Sequence, residues 1–358
     1  MYDVFRTAAR VADLLQGFGC DEVVQGIGRT GIVGIIHGRQ KGRTIGLRCD
    51  MDALPIFEAS GVAHASLTPG KMHACGHDGH MAMLLGAARQ LCATRNFSGT
   101  AAVIFQPAEE GGAGGKAMLD DGLMQRFGIG EVFGMHNMPG LAVGAFAIRP
   151  GAMMASADRF DIVIEGRGGH AAKPHECIDP VVVGAQIVSA LQVIVARNVD
   201  PLEACVVSVT RFEAGSAYNV IPQSALLAGT VRTLAPAMRI FAERRLREIA
   251  GGIAAAHGAV ARVDYVPGYP VTRNHAAQTA FAAGVAAAVA GAGMVDTATP
   301  PTMGAEDFSY MLEARPGALI FIGNGNTAGL HHPAYDFNDA AIAHGVEYWV
   351  RLVETGLS

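Results

Sequence analysis

The 358-residue sequence has little charge, few aromatic side chains and no pair of cysteines at a CxxC spacing. Charged residues make up 16% and aromatic residues 6%, whereas 50% of the chain is hydrophobic, so a sizeable core is expected and extended disorder is not. The net charge of -5 is mild, and the lysines and arginines are scattered. The chain therefore lacks the basic surface of a nucleic-acid-binding or membrane-surface protein.

Long hydrophobic runs and an export signal are also missing. The most apolar run, residues 281–295, is too short and too rich in alanine and glycine to cross a bilayer. The first residues, MYDVFRTAARVADLL, carry acids and no apolar stretch of the secretory type. We therefore expect a cytoplasmic protein with reduced thiols, five packed as small hydrophobes and one, Cys75, among polar residues.

The order of predicted elements divides the chain into two domains. Before residue 155 and after residue 270, buried strands alternate with helices, which is typical of an α/β domain with a mostly parallel sheet. Residues 156–269 follow the order β-α-β-β-α-β of a ferredoxin-like α+β domain. The sequence thus predicts a discontinuous α/β domain, 1–155 and 270–358, interrupted by an inserted α+β domain, 156–269.

Polar clusters follow four predicted strands of the α/β domain. They are RCDMDALP, QPAEEGG, HNMPG and LHHPAYDFND, and a fifth, HACGHDGH, precedes a helix. In open α/β sheets, ligands collect outside the carboxyl ends of the strands. The clusters therefore predict one functional site at that edge of the sheet.

Two pairs of acids stand in these clusters. Glu109 and Glu110 are adjacent carboxylates after a buried strand, where one can bind a metal ion and the other can act as general base, although most exposed acid pairs are simply solvated. Asp50 and Asp52 lie two apart on an extended segment and face the same way. A metal-site role and a turn-forming role before the following proline are equally consistent with that spacing. His136, taken alone, is typical of a buried core histidine.

The segment at residues 73–80 is rich in metal-binding side chains. A helix is expected to begin after Asp78 as N-cap, which leaves Cys75 and His77 in the loop, two apart and on one side. A helical pair of His73 and His77 is an alternative that the glycine between them disfavours, and His80 is assigned a structural role in the helix. A thiolate with imidazoles and carboxylates suits zinc, and also manganese, cobalt or nickel.

Nine motifs occur in order between residues 50 and 339: DMDALP, HACGHDGHMAMLLGAA, IFQPAEEGGAGGKAM, MHNMP, GRGGHAAKPH, YNVIP, GTVRT, MGAEDFSYM and LHHPAYDFND. Together they resemble the metal-dependent amidohydrolases of the aminoacylase and carboxypeptidase superfamily, most nearly the branch of hippurate hydrolase and the indole-acetyl-amino-acid hydrolases. The resemblance covers nearly the whole chain. It implies a two-metal catalytic domain and an inserted lid domain that mediates dimerisation.

The resemblance implies roles for residues of the catalytic domain. Glu109 matches the catalytic base, and Asp52 matches the acid that orients a ligand of the metal. The implied metal ligands are Cys75, His77, Glu110, His136 and His331.

In the inserted domain, His170 matches a residue that reaches the substrate carbonyl oxygen from the partner subunit. Asn219 and Arg232 match substrate-binding positions, and a guanidinium suits a bidentate grip on a carboxylate. Without the resemblance, Arg232 would be an ordinary strand arginine. Glu306 and Asp307 are expected to line the site.

The function implied is hydrolysis of the amide bond of N-acyl amino acids, of the hippurate or N-acetyl type. Two divalent metal ions per subunit are implied, manganese or zinc, with cobalt or nickel as alternatives. A dipeptidase or an N-acetyl-diaminopimelate deacetylase would share the site. An inactive metal-holding scaffold or ligand-binding protein is the alternative from another class, and the presence of both base and ligands argues against it.

The expected partners are the small substrate and a second copy of the chain, as a dimer or tetramer, with no nucleic acid and no membrane. One departure from the family lies at the N-terminus, where relatives usually carry a further helix before the counterpart of residues 2–15: either the start of the sequence is misassigned or this helix is absent. We expect this difference to affect stability rather than chemistry, because every motif lies downstream.

Overall fold

The computed structural model describes residues 1–358, and the chain forms two compact units. Unit 1 comprises Met1–Met153, Thr272–Pro300 and Asp307–Ser358, and unit 2 comprises Met154–Val271 and Pro301–Glu306. The strands are β1 (Glu22–Ile27), β2 (Gly31–His37), β3 (Gln40–Asp50), β4 (Ser98–Gln106), β5 (Ile129–Pro139), β6 (Phe146–Ala147), β7 (Gly151–Met154), β8 (Ala157–Glu165), β9 (Gly169–His170), β10 (Cys205–Ala214), β11 (Val220–Ile221), β12 (Ser224–Thr233), β13 (Val260–Tyr269), β14 (Thr272–Asn274), β15 (Val295–Asp296) and β16 (Gly317–Gly325). The α-helices are α1 (Phe5–Phe18), α2 (His77–Thr94), α3 (Gly114–Asp120), α4 (Leu123–Arg126), α5 (Pro180–Val193), α6 (Pro236–Ala256), α7 (Ala276–Ala290), α8 (Ser309–Ala314) and α9 (Ala340–Gly356).

An eight-stranded sheet forms the centre of unit 1, in the order β1-β2-β4-β3-β5-β16-β6-β15. Its four middle strands, β4, β3, β5 and β16, run parallel to one another. Both β4 and β16 are buried along almost their whole length and are rich in aliphatic residues, as expected for parallel strands covered on both faces. The predicted α/β class is confirmed, and the carboxyl ends of these four strands meet at one edge.

Helices α2 and α9 of unit 1 pack closely on each other because a glycine lets them approach. Gly345 of α9 lies directly against Met83 of α2, since a Cβ atom built on this glycine would come within 2.0 Å of the methionine sulfur. The same core contains the fully buried rings of Phe133, Tyr348 and Trp349. The approach of α9 to α2 therefore depends on the missing side chain at position 345.

Unit 2 has a four-stranded antiparallel sheet in the order β10-β12-β8-β13, the strand order of a ferredoxin-like fold. Helices α5 and α6 follow the first and third of its long strands in the chain and contribute to a separate core, which includes Phe160, Ile187, Leu227 and Leu246. The predicted β-α-β-β-α-β order is thus present. Two short strands, β9 and β11, pair as a separate ribbon.

One helical segment, Pro180–Asn198, is long and apolar enough to cross a membrane by length and composition alone, with a mean hydropathy of 1.6. The apolar run at 281–295 overlaps the shorter helix α7. Val183, Ile187 and Leu191 of α5 pack into the core of unit 2. Apolar residues of the longer segment therefore contribute to the hydrophobic core of unit 2.

Candidate metal centre

Helix α2 begins at His77, one residue after a sharp turn at Gly76. The prediction that the helix starts after Asp78 was wrong. Gly76 has φ +80°, a left-handed conformation that favours glycine, and the chain turns there into the helix, two residues before Asp78. Asp78 accepts only from the adjacent Gly79 N–H, at 3.0 Å. Because the helix starts at His77, His73 is not on it, which excludes the helical pair of these two histidines.

Several atoms that could bind a metal ion surround the thiol of Cys75. Its sulfur lies 3.4 Å from Nε2 of His136 and is buried, with 6% of the residue exposed. One ligand atom each of Cys75, Glu110 and His331 lies within 4.8 Å of the others, and His331 Nε2 is 3.1 Å from Glu110 Oε1. His331 has φ +64° and its N–H donates to the Ala74 carbonyl at 2.8 Å, which brings the loop after β16 to the loop before α2.

Hydrogen bonds select the tautomers of two buried histidines. His77 Nδ1 donates to the Asp52 carbonyl oxygen at 2.9 Å, and His136 Nδ1 donates to the Asn137 carbonyl oxygen at 2.7 Å. A carbonyl oxygen only accepts, so in the neutral rings Nε2 presents its lone pair, as metal-ligating histidines do. Nε2 of His77 is buried without a hydrogen-bond partner. Ligand atoms of His77, Glu109 and Glu110 lie within 4.8 Å of one another.

Asp52 holds the loop that carries the two glutamates. Its Oδ1 accepts the Glu109 N–H at 3.0 Å and its Oδ2 accepts the Glu110 N–H at 3.1 Å. The carboxyl group of Asp52 is itself buried, with 1% of the residue exposed. Removing it would leave two buried backbone donors unpaired. The structure thus gives Asp52 a positioning contact to the loop as well as the contact to His77.

The Glu109 carboxylate is anchored from the other side by the backbone of Asp307, whose N–H lies 3.3 Å from Glu109 Oε1. The Asp307 carboxylate accepts from Arg48 Nη2 at 2.9 Å, Gln106 Nε2 at 2.7 Å and the Gly115 N–H at 2.8 Å. Asp307, Arg48 and Gln106 are fully buried. A rigid polar layer therefore underlies the loop with the two glutamates.

The same layer continues to the other side of the site. Arg48 Nη1 donates to Asp50 Oδ2 at 2.9 Å, and Asp50 Oδ1 accepts from His80 Nδ1 at 2.6 Å. His80 Nε2 accepts the Asn137 N–H at 2.9 Å, beside His136. Sequence reasoning missed Arg48 and Asn137. The signal available for Arg48 was a charged residue inside an otherwise apolar strand end.

Charges in the cluster shift the pKa values of its members. Burial alone would raise the pKa of the Cys75 thiol, but the surrounding His136, His331 and His77 lower it to about 6. Hydrogen bonds to Cys75 and Glu110 raise the pKa of His331 to about 10. Burial lowers the pKa of His80 to about 3. The cluster therefore favours a thiolate stabilised by imidazolium, and the donor set fits a divalent metal ion that would replace those protons.

Comparison with known proteins identifies the family of this chain. The model of the peptidase family M20/M25/M40 matches residues 46–355. The chain belongs to this family. Hippurate hydrolase of Campylobacter jejuni is 41% identical over 351 residues, 98% of this chain and 91% of that protein. N-acetylcysteine deacetylase of Bacillus subtilis is 42% identical over 325 residues, 90% of this chain and 84% of that protein.

Among solved structures, a dinuclear metal-binding peptidase of the M20 family from Bacillus subtilis has a TM-score of 0.86 at 36% identity, with 99% of this chain and 92% of that chain covered. The predicted family, fold class and enzyme class are therefore confirmed: this M20-family protein is a hydrolase.

The residues predicted from the inserted domain of the M20 enzyme all lie in unit 2. His170, in β9, is exposed, and its Nδ1 accepts the Ala172 N–H at 3.1 Å. The carbonyl oxygen of the exposed Asn219 accepts the Ala171 N–H at 3.0 Å, so both residues stand on one ribbon. Arg232, on β12, is half-buried, and its guanidinium donates to the Val231 carbonyl at 3.2 Å. Their contribution to the site stays a prediction.

Proposed function

We propose that this M20-family enzyme hydrolyses the amide bond of N-acyl amino acids, with Glu109 as general base. The observation that carries the proposal is the buried Glu109 carboxylate, which is fixed by backbone contacts beside a cluster of one thiol, three imidazoles and one further carboxylate. The names of two relatives support the substrate class, since both act on an acylated amino group.

Five residues would hold two divalent metal ions. Cys75 contacts His136 and shares a donor group with Glu110 and His331, while Glu110 also groups with His77. These overlapping groups support two ions that share ligands, of which manganese and zinc suit the mixed donors best and cobalt or nickel would also be accepted. Bound there, the ions would polarise the acyl carbonyl and lower the pKa of a water molecule.

Glu109 would take the proton of the attacking water and return it to the leaving nitrogen. Two contacts keep the carboxylate in place for this proton transfer, because the Asp307 N–H holds Oε1 and Asp52 holds the Glu109 backbone. Neither contact uses a proton that the reaction must move. These contacts therefore position the Glu109 carboxylate and leave it able to accept a proton.

Unit 2 would supply the substrate contacts. Arg232 forms hydrogen bonds to Thr230 and Val231 and no salt bridge, and burial lowers the pKa of its guanidinium, so a bound carboxylate would satisfy it. We assign to Arg232 and Asn219 the recognition of the amino-acid part, and to His170 of a second copy of the chain the stabilisation of the developing oxyanion.

The exchange of Glu109 for glutamine tests the base. Glu109→Gln should lower kcat on the order of 10²–10⁴-fold, the typical contribution of general acid–base catalysis, with metal content unchanged. Glu110→Gln is the matched control at the neighbouring position and should lose metal together with activity. Hippurate turnover and metal analysis on the same samples would measure both. Substantial activity of the metal-loaded Glu109→Gln variant would contradict the assignment.

A substrate panel separates the alternative functions. The protein, reconstituted separately with manganese, zinc, cobalt and nickel, should cleave hippurate or N-acetyl amino acids faster than dipeptides. Faster cleavage of dipeptides would indicate a dipeptidase. Inertness towards the whole panel with every metal, despite full loading, would favour an inactive metal-holding protein.

A further inference from the structure

Two cysteines away from the metal centre are in direct contact. Cys20 follows helix α1, and Cys92 lies in the last turn of helix α2. Their sulfur atoms are 3.6 Å apart. Cys20 is partly exposed and Cys92 is 9% exposed. Small solutes can therefore approach the pair from the side of Cys20.

Arg95 connects, through hydrogen bonds, the two chain segments that carry these thiols. Its Nη1 donates to Asp21 Oδ2 at 2.7 Å and its Nη2 to the Gly19 carbonyl at 2.9 Å, so a residue just after α2 is bonded to both neighbours of Cys20. Groups that are held in place react with a high effective concentration, because the entropy of bringing them together is already lost. The pair is thus preorganised.

The surroundings make the two thiols unequal. The hydrogen bond between the two thiols lowers the pKa of Cys92, burial opposes this, and the positive charge of Arg95 lowers it further. The same hydrogen bond and burial raise the pKa of Cys20. Since the thiolate is the nucleophile in thiol chemistry, this asymmetry favours Cys92 as the attacking residue and Cys20 as the resolving one, and the variants below distinguish the two roles.

We propose that Cys20 and Cys92 form an oxidant-sensitive dithiol, which a peroxide converts into a disulfide between the end of α1 and the end of α2. The Cys92 thiolate attacks one peroxide oxygen, the O–O bond breaks, and the departing oxygen takes a proton and leaves as water. Cys92 is then a sulfenic acid. The Cys20 sulfur attacks the Cys92 sulfur, the S–O bond breaks, and a second water leaves with the Cys20 proton. Two thiols lose two electrons and two protons, and one hydrogen peroxide becomes two water molecules.

The required movement is small. The two sulfur atoms must approach from 3.6 Å to a bond length of about 2.05 Å. Cys20 stands in the turn after α1, beside Gly34: a Cβ atom built on this glycine would lie 3.5 Å from the Cys20 sulfur, an ordinary van der Waals contact. The bond would close a loop that includes β1, β2, β3 and almost all of α2.

The test exposes the metal-loaded enzyme to hydrogen peroxide. We expect the intact mass to fall by two hydrogens and a non-reducing peptide map to show the Cys20 peptide joined to the Cys92 peptide. The Tm should rise by about 2–4 °C, because the bond restricts the unfolded chain, and a thiol reductant should reverse all three changes.

Variants assign the roles. Cys20→Ser should trap a sulfenic acid at Cys92 that reacts with dimedone, and Cys92→Ser should give neither product. Cys205→Ser, a buried cysteine of unit 2, is the control and should cross-link like the wild type. Arg95→Gln should slow the cross-link about 10-fold, since the nearby positive charge favours the thiolate.

Three results would overturn the proposal: no bond between these two cysteines in the wild type while the oxidant modifies other thiols, oxidation of Cys92 to sulfinic acid without a cross-link, or a cross-link to another cysteine. The wild-type peptide map decides the matter even if a variant fails to fold. The test does not depend on the amidohydrolase activity.

Discussion

At the scale of single residues, the sulfur of Cys75 and the ring of His331 hold opposite charges in the metal-free protein at neutral pH. Burial raises the pKa of Cys75, but the surrounding histidines outweigh this effect and lower it to about 6. Hydrogen bonds to Cys75 and Glu110 raise the pKa of His331 to about 10. A metal ion that binds both residues meets a thiolate that is already ionised and an imidazolium that must lose its proton. Binding at neutral pH therefore releases a proton from the histidine rather than from the cysteine.

This charge state predicts how metal affinity depends on pH. Burial lowers the pKa of His77, but Asp50, Asp52 and Cys75 raise it well above its usual value, so His77 as well as His331 must lose a proton to bind a metal ion. Between about pH 6 and pH 10, affinity should therefore rise with pH by up to about 10-fold per unit for each proton displaced. Competition titrations with a chelator across this range would measure the slope, and calorimetry in buffers of different ionisation enthalpy would count the proton. His331→Ala should make the dependence shallower, because the proton of His77 is still displaced. A wild-type affinity that does not change with pH would contradict the assigned charge states.

A second prediction at this scale concerns the oxyanion donor. His170→Ala should lower kcat about 10²–10³-fold, the usual loss when one such donor is removed, and leave metal content intact. His175→Ala is the matched control, because this histidine is also exposed in unit 2 and lies a few residues further along. Steady-state kinetics on an N-acyl amino acid would compare the two. Equal rates for His170→Ala and the wild type would remove His170 from the mechanism.

The local motifs were sufficient to nominate Cys75, His77, Glu109 and Glu110, because each stands at a strand end or beside a helix start, and such positions can be read from neighbouring residues. His136, which alone is typical of a core histidine, was nominated only by the resemblance. The supporting layer could not be predicted in this way. Arg48 and Asp307 are far apart in the sequence, and their salt bridge exists only when β3 and the segment before α8 are brought together. Long-range polar contacts of this kind leave no local pattern.

At the scale of helices and strands, the apolar periodicities predicted most elements, but the start of α2 depended on a backbone detail. Asp78 has the chemistry of an N-cap, whereas the left-handed Gly76 decides where the helix begins. The sheet order was also beyond the sequence, since β16 lies between β5 and β6 although it is the last strand of the chain. The hydrophobic pattern predicts that a strand exists, but it does not predict which strands lie beside it in the sheet.

Close helix packing gives a prediction for stability. Gly345→Ala should destabilise the protein by about 1–3 kcal/mol, because the new methyl group would overlap the buried Met83 in α2. Gly284→Ala, inside α7, is the matched control: nothing lies within 4 Å of the added Cβ atom, so the better helix propensity should stabilise by up to about 1 kcal/mol. Urea denaturation of both variants would show the opposite signs, and a loss of stability at position 284 equal to that at 345 would contradict the packing argument.

At the scale of the whole molecule, the two edges of the sheet in unit 2 differ in how they are protected. Strand β13 carries Pro267 and the charged Arg262 and Asp264, features that discourage pairing with another strand. The first half of β10 has no charge and exposes Val206. An uncharged edge is a ready site for a second chain. We therefore assign the proposed homodimer contact to the β10 edge.

Charge placed on that edge should separate the copies. Val206→Lys should shift the protein from dimer to monomer in light-scattering measurements, because a lysine would have to be buried without a partner. Val266→Lys, on the opposite edge strand, is the control: the two valines are 38% and 41% exposed, so their surroundings are comparable. A wild-type monomer, or a dimer that survives Val206→Lys but not Val266→Lys, would contradict this assignment.

The place of β16 inside the sheet has a consequence for synthesis on the ribosome. Residues 154–271 form, together with residues 301–306, a unit with its own core, and all of them precede β16 at Gly317–Gly325 in the chain, so this unit is translated first. Until β16 emerges, β5 lacks one neighbouring strand and β6 lacks the strand that joins it to the sheet, so both leave hydrogen-bonding edges open in the nascent chain. His331 follows that strand, and for this reason the complete ligand set can assemble only when nearly the whole chain has been made.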